Sequence, residues 1–349
     1  MVVTIYVATM LIFSFPIGHM IDRINNTALN FLSSFMLIAG FALLFAGEGI
    51  FYIYGATALS VFGLEMKLDT FSAIIKKHIP EGSFKKANSF SYAATSASEL
   101  LGTLLGGLSI IYLRYYFIFV LLAVALATAF LSLPISEEKY NANAGENAMI
   151  VEMKEVMSLL KNISGILILA FFINGLFISL DTYSSGLFDL VLKSSAIYYT
   201  AFTTCFPLGM MAGTPVANVR YFKKERPLTI ALMLLLFSPL IMVLALSRSP
   251  LADVIDAFAI GLVLPIINIP IQTKLMAVIP HRVYGKTMGF LKIFMSGASP
   301  VMGSVFSTLA LFFSIPAVLF WVSVLVVPLT AYGVLVIPKF FSYNAAGKG

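Results

Sequence analysis

The sequence predicts an all-α polytopic membrane protein, and three observations carry that prediction. Hydrophobic residues make up 60% of the chain and charged residues 11%, against about a quarter charged in a soluble domain, and the mean hydropathy is +0.97. The apolar residues lie in continuous runs of about 20, the length a helix needs to cross a hydrocarbon core of roughly 30 Å. Barrel strands would instead give alternating segments of about ten residues. Finally, only short polar stretches separate the runs, so 349 residues are consumed by about eleven spans with no room for a separate soluble domain.

The first run, 2–21, lacks a basic region before it and a small-residue cleavage site after it, so it reads as a span rather than a signal peptide. The runs 28–47, 51–75, 88–110 and 115–134 follow, each bounded by charged or Pro, Gly and Asn residues. The longest polar stretch runs from Ser136 to Asn162 and carries Glu137, Glu138, Glu146, Glu152 and Glu155. It reads as a linker, and apolar residues at helical spacing from Met149 to Leu160 predict a short amphipathic helix on the membrane surface. Six more runs lie at 163–182, 195–218, 228–246, 252–278, 286–309 and 315–337. The expected organisation is a five-span N-terminal half (1–135), a cytoplasmic linker (136–162) and a six-span C-terminal half (163–349).

With that threading, 16 Lys and Arg fall on one side of the membrane and 3 on the other, with Lys67, Lys274 and Lys292 inside spans. The positive-inside bias makes the richer side cytoplasmic and places the C-terminus there. The same bias accounts for the net charge of +6, so nucleic acid is not an expected partner. The lone Cys205 lies in an apolar run, which excludes a disulfide framework and a thiolate metal site. No His/Glu pair has metal-site spacing, and no glycine loop with its Lys could cradle phosphate. Neither a metal nor an organic cofactor is therefore expected, and no paired catalytic set points to an intramembrane enzyme.

The halves repeat at an offset of 200 residues. Ile79-Pro80 aligns with Ile279-Pro280, Lys86 with Lys286, Phe90 with Phe290 and Ser96 with Ser296. Both copies enter a span from a cytoplasmic loop, the arrangement of parallel repeats in transporters. Segment 163–182 has no counterpart upstream, so a first helix is expected to be missing. A misplaced start, a decayed gene and a shortened protein would all read alike.

Two stretches resemble the major facilitator superfamily, nearest to its prokaryotic efflux members of the macrolide and siderophore exporter type. Gly18-His19-Met20-Ile21-Asp22-Arg23-Ile24-Asn25 is similar to the family signature Gly-x-x-x-Asp-Arg-x-Gly between helices 2 and 3, with Asn25 in the second glycine position. Pro80 to Ser89 resembles the loop before helix 5 in the same exporters. A weaker resemblance links Gly102, Gly106 and Gly107 to the exporter signature Gly-Pro-x-x-Gly-Gly, with Thr103 in place of Pro. Glycines at that spacing let helices approach closely, as an exporter signature or as ordinary small-residue packing. The resemblance implies helices 2 to 12 of a twelve-helix fold and a cavity lined by helices 4, 7 and 10, here 51–75, 163–182 and 252–278.

Charges inside spans mark the candidate transport residues, because each costs about 2.5–3.5 kcal/mol at mid-bilayer without a partner or a wet cavity. Glu65 and Asp69 share a helix face at i, i+4, while Lys67 points away from both and needs a partner on another helix. Glu99 lies on the face of Gly102 and Gly106. By resemblance, Asn174, Asp181, Asp256 and Gln272 also fall on cavity-lining helices, with Asp181 and Asp256 near their outer ends, where a solvated role is expected. A structural pair such as Lys67 with Glu99 and a coupling role are both open, and Lys292 is expected to snorkel or pair within its own span. Together these residues predict a secondary transporter of the plasma membrane that exports small amphipathic compounds, with protons as a candidate coupling ion, lipids as its surroundings and a monomeric state. A metabolite importer and a non-transporting, truncated membrane protein are the alternatives.

Overall fold

The structure, a computed structural model, describes residues 2–47, 49–112, 116–131, 146–218 and 226–343, and all the regular structure among them is helical. Fourteen α-helices follow in chain order: α1 (Val2–Arg23), α2 (Asn26–Ala46), α3 (Ile50–His78), α4 (Phe84–Tyr112), α5 (Phe117–Leu131), α6 (Glu146–Asn162), α7 (Ser164–Gly186), α8 (Ala196–Ala217), α9 (Pro227–Leu235), α10 (Phe237–Leu246), α11 (Pro250–Val278), α12 (Tyr284–Ser296), α13 (Ala298–Phe312) and α14 (Ile315–Ser342). Among the described residues, seven segments are long and apolar enough to cross a membrane: Ile5–Arg23, Asn26–Ala46, Ser164–Val191, Pro227–Leu246, Pro250–Val278, His281–Phe312 and Ile315–Ser342. The runs 51–75, 88–110 and 195–218 are helical too, in α3, α4 and α8. Outward-facing side chains are as apolar as the interior: Phe51, Ile197, Leu311 and Phe312 are 75–83% exposed, a surface suited to lipid.

The repeat is visible as structure. α3 ends at His78 and α11 at Val278, each is followed by a Pro and a short 3-10 turn (Glu81–Ser83, His281–Val283), and α4 and α12 begin at 84 and 284. Three helices depart from uniform runs. α7 continues through a π turn at Leu187–Val191, the run 228–246 breaks at Leu236 between α9 and α10, and the run 286–309 breaks at Gly297 between α12 and α13.

The chain divides into two compact units that do not follow the linear halves. The first comprises Met1–Ile79, Leu108–Ile163 and Ile279–Gly297. Within it α1 packs against both α3 and α12, and α2 lies along α3 and α5. The α1–α12 contact is backbone on backbone: a Cβ on Gly18 would collide with the Gly285 carbonyl, one on Gly285 with the Gly18 carbonyl, and one on Gly289 with the Ser14 carbonyl. Gly18→Val is therefore expected to lower stability by about 1–3 kcal/mol, the usual penalty for overpacking. Thermal melting of the purified protein in detergent checks this, and a variant that melts like the parent would show that the contact relaxes freely.

The second unit comprises Pro80–Gly107, Ser164–Val278 and Ala298–Gly349. Its most extensive helix pair is α8 with α11, again sealed by glycines. Cβ atoms on Gly209 and Gly213 would strike the Phe258 and Leu262 carbonyls, and one on Gly261 the Phe206 carbonyl. α9 and α10 pack on α14, and α7 on α13 and α14. Tyr183 donates its hydroxyl to the Phe306 carbonyl, tying α7 to α13.

Candidate functional site

In the first unit, polar side chains gather in two places along α12. At its start, Asp22 accepts the backbone N–H groups of Gly285 (2.6 Å) and Lys286 (2.9 Å). The first turn of a helix has no internal acceptors for these donors and carries a partial positive charge, so a carboxylate presented by another helix satisfies both. The Lys286 side chain is fully buried, with Nζ 3.5 Å from Asp22 and 2.8 Å from Glu152. Arg23 lies 3.6 Å from Glu152, and Arg282 pairs with Glu155. The linker helix α6 is thus held at two acidic positions, while its apolar face buries Val156 and Leu159. On the α3 side, Lys76 donates to the Ile279 carbonyl and sits 5.0 Å from the centre of the Tyr284 ring.

Burial pushes the Glu152 carboxyl up, but the hydrogen bond and charge of Lys286, together with Arg23 and Arg282, outweigh it and hold the group below its ordinary value of 4.5. A depressed folded value means that the unfolded chain takes up the proton first. The stabilisation is complete above 4.5 and drains away as pH falls through the lower folded value. Melting temperature of the parent should therefore drop more steeply below that point than that of Glu152→Gln. Parallel melting curves across the acidic range would contradict the assignment.

Two turns along α12, Lys292 pairs with Glu65 and lies 2.8 Å from Asp69, both on α3. Glu65 and Asp69 meet the same cation because their i, i+4 spacing puts them on one face. The cluster carries two carboxylates against one ammonium, in side chains that are 5%, 15% and 21% exposed. Lys292 therefore neither snorkels nor pairs within its own span, because α3 lies alongside and offers carboxylates at the right height. Lys67 points to the other side of α3 and donates to Ser34 of α2 at 2.7 Å, so its partner is a hydroxyl.

In the second unit, α4 is tied to α8 and α11 by neutral polar bonds. Asn88 donates to Thr273 (3.2 Å), Asn218 to Ser89 (2.8 Å) and Asn268 to Tyr92 (3.4 Å). Glu99 is exposed, with no ion pair among the described residues. Asn174 donates to the Ala170 carbonyl of its own helix (2.8 Å), and Gln272 is exposed. The Asp181 side chain and the surroundings of Gly106 and Gly107 lie outside the described residues, and nothing described comes within 4 Å of where a Gly102 side chain would start. The close helix contact expected at Gly102 is thus not seen; glycine seams form instead at 18/285 and 209/213/261. Asp256 is not solvated as expected: it is 5% exposed, beside Asp253 at 0%. Among the described residues, no three His, Cys, Asp or Glu side chains gather as a metal would require.

A family model described as Major Facilitator Superfamily matches residues 1–304. The chain belongs to the major facilitator superfamily. As a major facilitator protein it is a multi-pass membrane transporter and not an enzyme. Solved transporters share the fold. The chain is similar to the fucose:proton symporter FucP of E. coli, with a TM-score of 0.72 and 15% identity over 98% of this chain and 90% of that one. It is also similar to the human organic anion transporter TETRAN, at 0.71 and 14% over 97% and 81%, and to FucP in its outward conformation, at 0.70 and 15% over 98% and 89%. No curated protein sequence matches the chain.

Sequence reasoning found Asp22, Arg23, Glu65 and Asp69 but missed the partners that give them meaning. Lys286 was visible only as a member of the repeat, and Glu152 only as one acid among five in the linker. Asp253 gave one usable signal, its i, i+3 spacing from Asp256.

Proposed function

We propose that this major facilitator protein is a secondary active transporter that exports small amphipathic compounds by alternating access, driven by protons. The observation that carries this reading is the Lys292, Glu65 and Asp69 cluster, set among apolar helices. Ionisable side chains at membrane depth are costly and are retained where they serve a pathway. An odd number of charges in such a cluster suits a group that gains and loses a proton as helices move. Export is supported by the similarity of Pro80 to Ser89 to exporter loops.

In this reading eleven spans act as helices 2 to 12 of the family pattern. Five of them lie in an N-terminal half (1–135) and six in a C-terminal half (163–349), joined by the cytoplasmic linker 136–162. The protein works as a monomer in the plasma membrane with its C-terminus inside. Uptake by symport is a second reading, favoured by the likeness to a fucose:proton symporter.

Purified protein reconstituted into liposomes with a pH-sensitive dye inside tests both. Proton release coupled to accumulation of a lipophilic dye-like compound supports export, and proton entry together with a polar metabolite supports uptake. No substrate-dependent proton movement across a broad panel would leave a membrane protein that does not transport by this route.

A further inference from the structure

α6 lies across the end of the α1–α12 seam, where α1 stops and α12 starts. Glu152 touches both helices: its carboxylate is 2.8 Å from Lys286, the third residue of α12, and 3.6 Å from Arg23, the last residue of α1. Three residues on, Glu155 pairs with Arg282 in the short turn that leads into α12. Val156 and Leu159 are buried beside them, and positions 152, 155, 156 and 159 follow the i, i+3, i+4, i+7 spacing of one helix face. Lys154 and Lys161 are exposed on the other side of the helix. Glu152 and Glu155 are thus both turned toward the seam.

The seam supplies a separate observation. Main chain meets main chain there at Gly18, Gly285 and Gly289, and backbones that close up through small residues interlock few side chains. The Phe15 and Phe290 rings add one contact, 4.9 Å between centres. Beyond it, the described residues fasten the seam by charge at one end. Asp22 holds the first N–H groups of α12, and Lys286 is shared between Asp22 and Glu152. The chain also gives α6 no slack. Only Ile163 separates it from α7, and the Ile163 N–H bonds back to the Leu159 carbonyl at 3.0 Å.

We propose that α6 is a strap: Glu152 and Glu155 hold the start of α12 against the end of α1, and release of the strap frees the first two turns of α12. No covalent bond changes. Fastened, the Lys286 ammonium is divided between two carboxylates; released, it keeps Asp22 alone, while Arg23 and Arg282 turn to water. α6 belongs to the first unit and α7 to the second, so a displacement of α7 reaches the strap with no loop to absorb it. Control of alternating access by the strap rests on the transporter reading above; the strap itself does not.

Hydrogen–deuterium exchange of the purified full chain in detergent, followed peptide by peptide, reads such local opening directly and needs no substrate. Glu152→Gln combined with Glu155→Gln should speed exchange about tenfold or more in the first two turns of α12 and the last turn of α1, because each substitution gives up a charge-assisted bond. α8 and α11 should stay at the parent rate. Faster exchange in α6 alone would overturn the proposal, since α6 would then be a passenger. A rise shared equally by α8 and α11 would overturn it too, as general loosening. Should the double variant fail to fold, Glu155→Gln alone, at a side chain 30% exposed, must still quicken the start of α12, and exchanging the partners as Glu155→Arg with Arg282→Glu must slow it again. A quickened α12 in a protein that moves no protons in liposomes would sink the transport reading and leave the strap standing.

Discussion

Lys286→Met is expected to cost about 3–5 kcal/mol of stability, because it leaves Asp22 and Glu152 buried around an apolar side chain. The parent Lys286 side chain is fully buried, and its two acids are 2% and 7% exposed, so water cannot replace the missing ammonium. Asp22 keeps its two backbone N–H donors and Glu152 keeps Arg23 at 3.6 Å, which together set the lower end of the range. Adding Glu152→Gln should restore part of the loss, since one orphaned charge is then gone. The double-mutant cycle, read by thermal melting in detergent, isolates the Lys286–Glu152 term. A loss below about 1 kcal/mol, the range of an exposed ion pair, would mean that the linker helix is not anchored there.

Lys292→Met should be as costly, about 3–5 kcal/mol, and should in addition abolish substrate-coupled proton movement in liposomes. Glu65 and Asp69 would be left facing each other with no cation between them. Lys292→Met combined with Glu65→Gln should recover part of the stability, since one orphaned carboxylate is gone, but not transport, since Asp69 is left without the cation it pairs with. Stability and transport recovering together would show that the cluster is purely structural.

Both results depend on partners that lie more than 200 residues apart in sequence for Asp22 with Lys286 and for Glu65 with Lys292, which is why the site was only half legible. Helices were readable because apolar runs and their polar punctuation are local, and the 200-residue repeat fixed the turn at Pro280 from the one at Pro80. Glu65 and Asp69 could be placed on one face by spacing alone. The height at which α12 crosses α3 has no local signal, so Lys292 read as a snorkelling side chain. Asp256 was misjudged for a related reason: a helix end suggests water, but tertiary packing leaves the residue only 5% exposed. The glycines of α4 drew attention through motif resemblance, whereas the tight seams use Gly18, Gly285, Gly209, Gly213 and Gly261, whose spacing looks unremarkable until both helices are in place.

Those seams make a map of mutational tolerance. Along most of these helices one apolar residue can stand in for another, since lipid and side chains adjust to a change of shape. Where main chain rests on main chain there is nothing to adjust, so a saturating library should show isolated columns at 18, 285, 209, 213 and 261 that accept glycine alone, flanked by positions open to nearly any aliphatic residue. An enlargement on one side of a seam cannot be answered by a smaller side chain on the other, because what opposes it is a main-chain carbonyl that every residue carries.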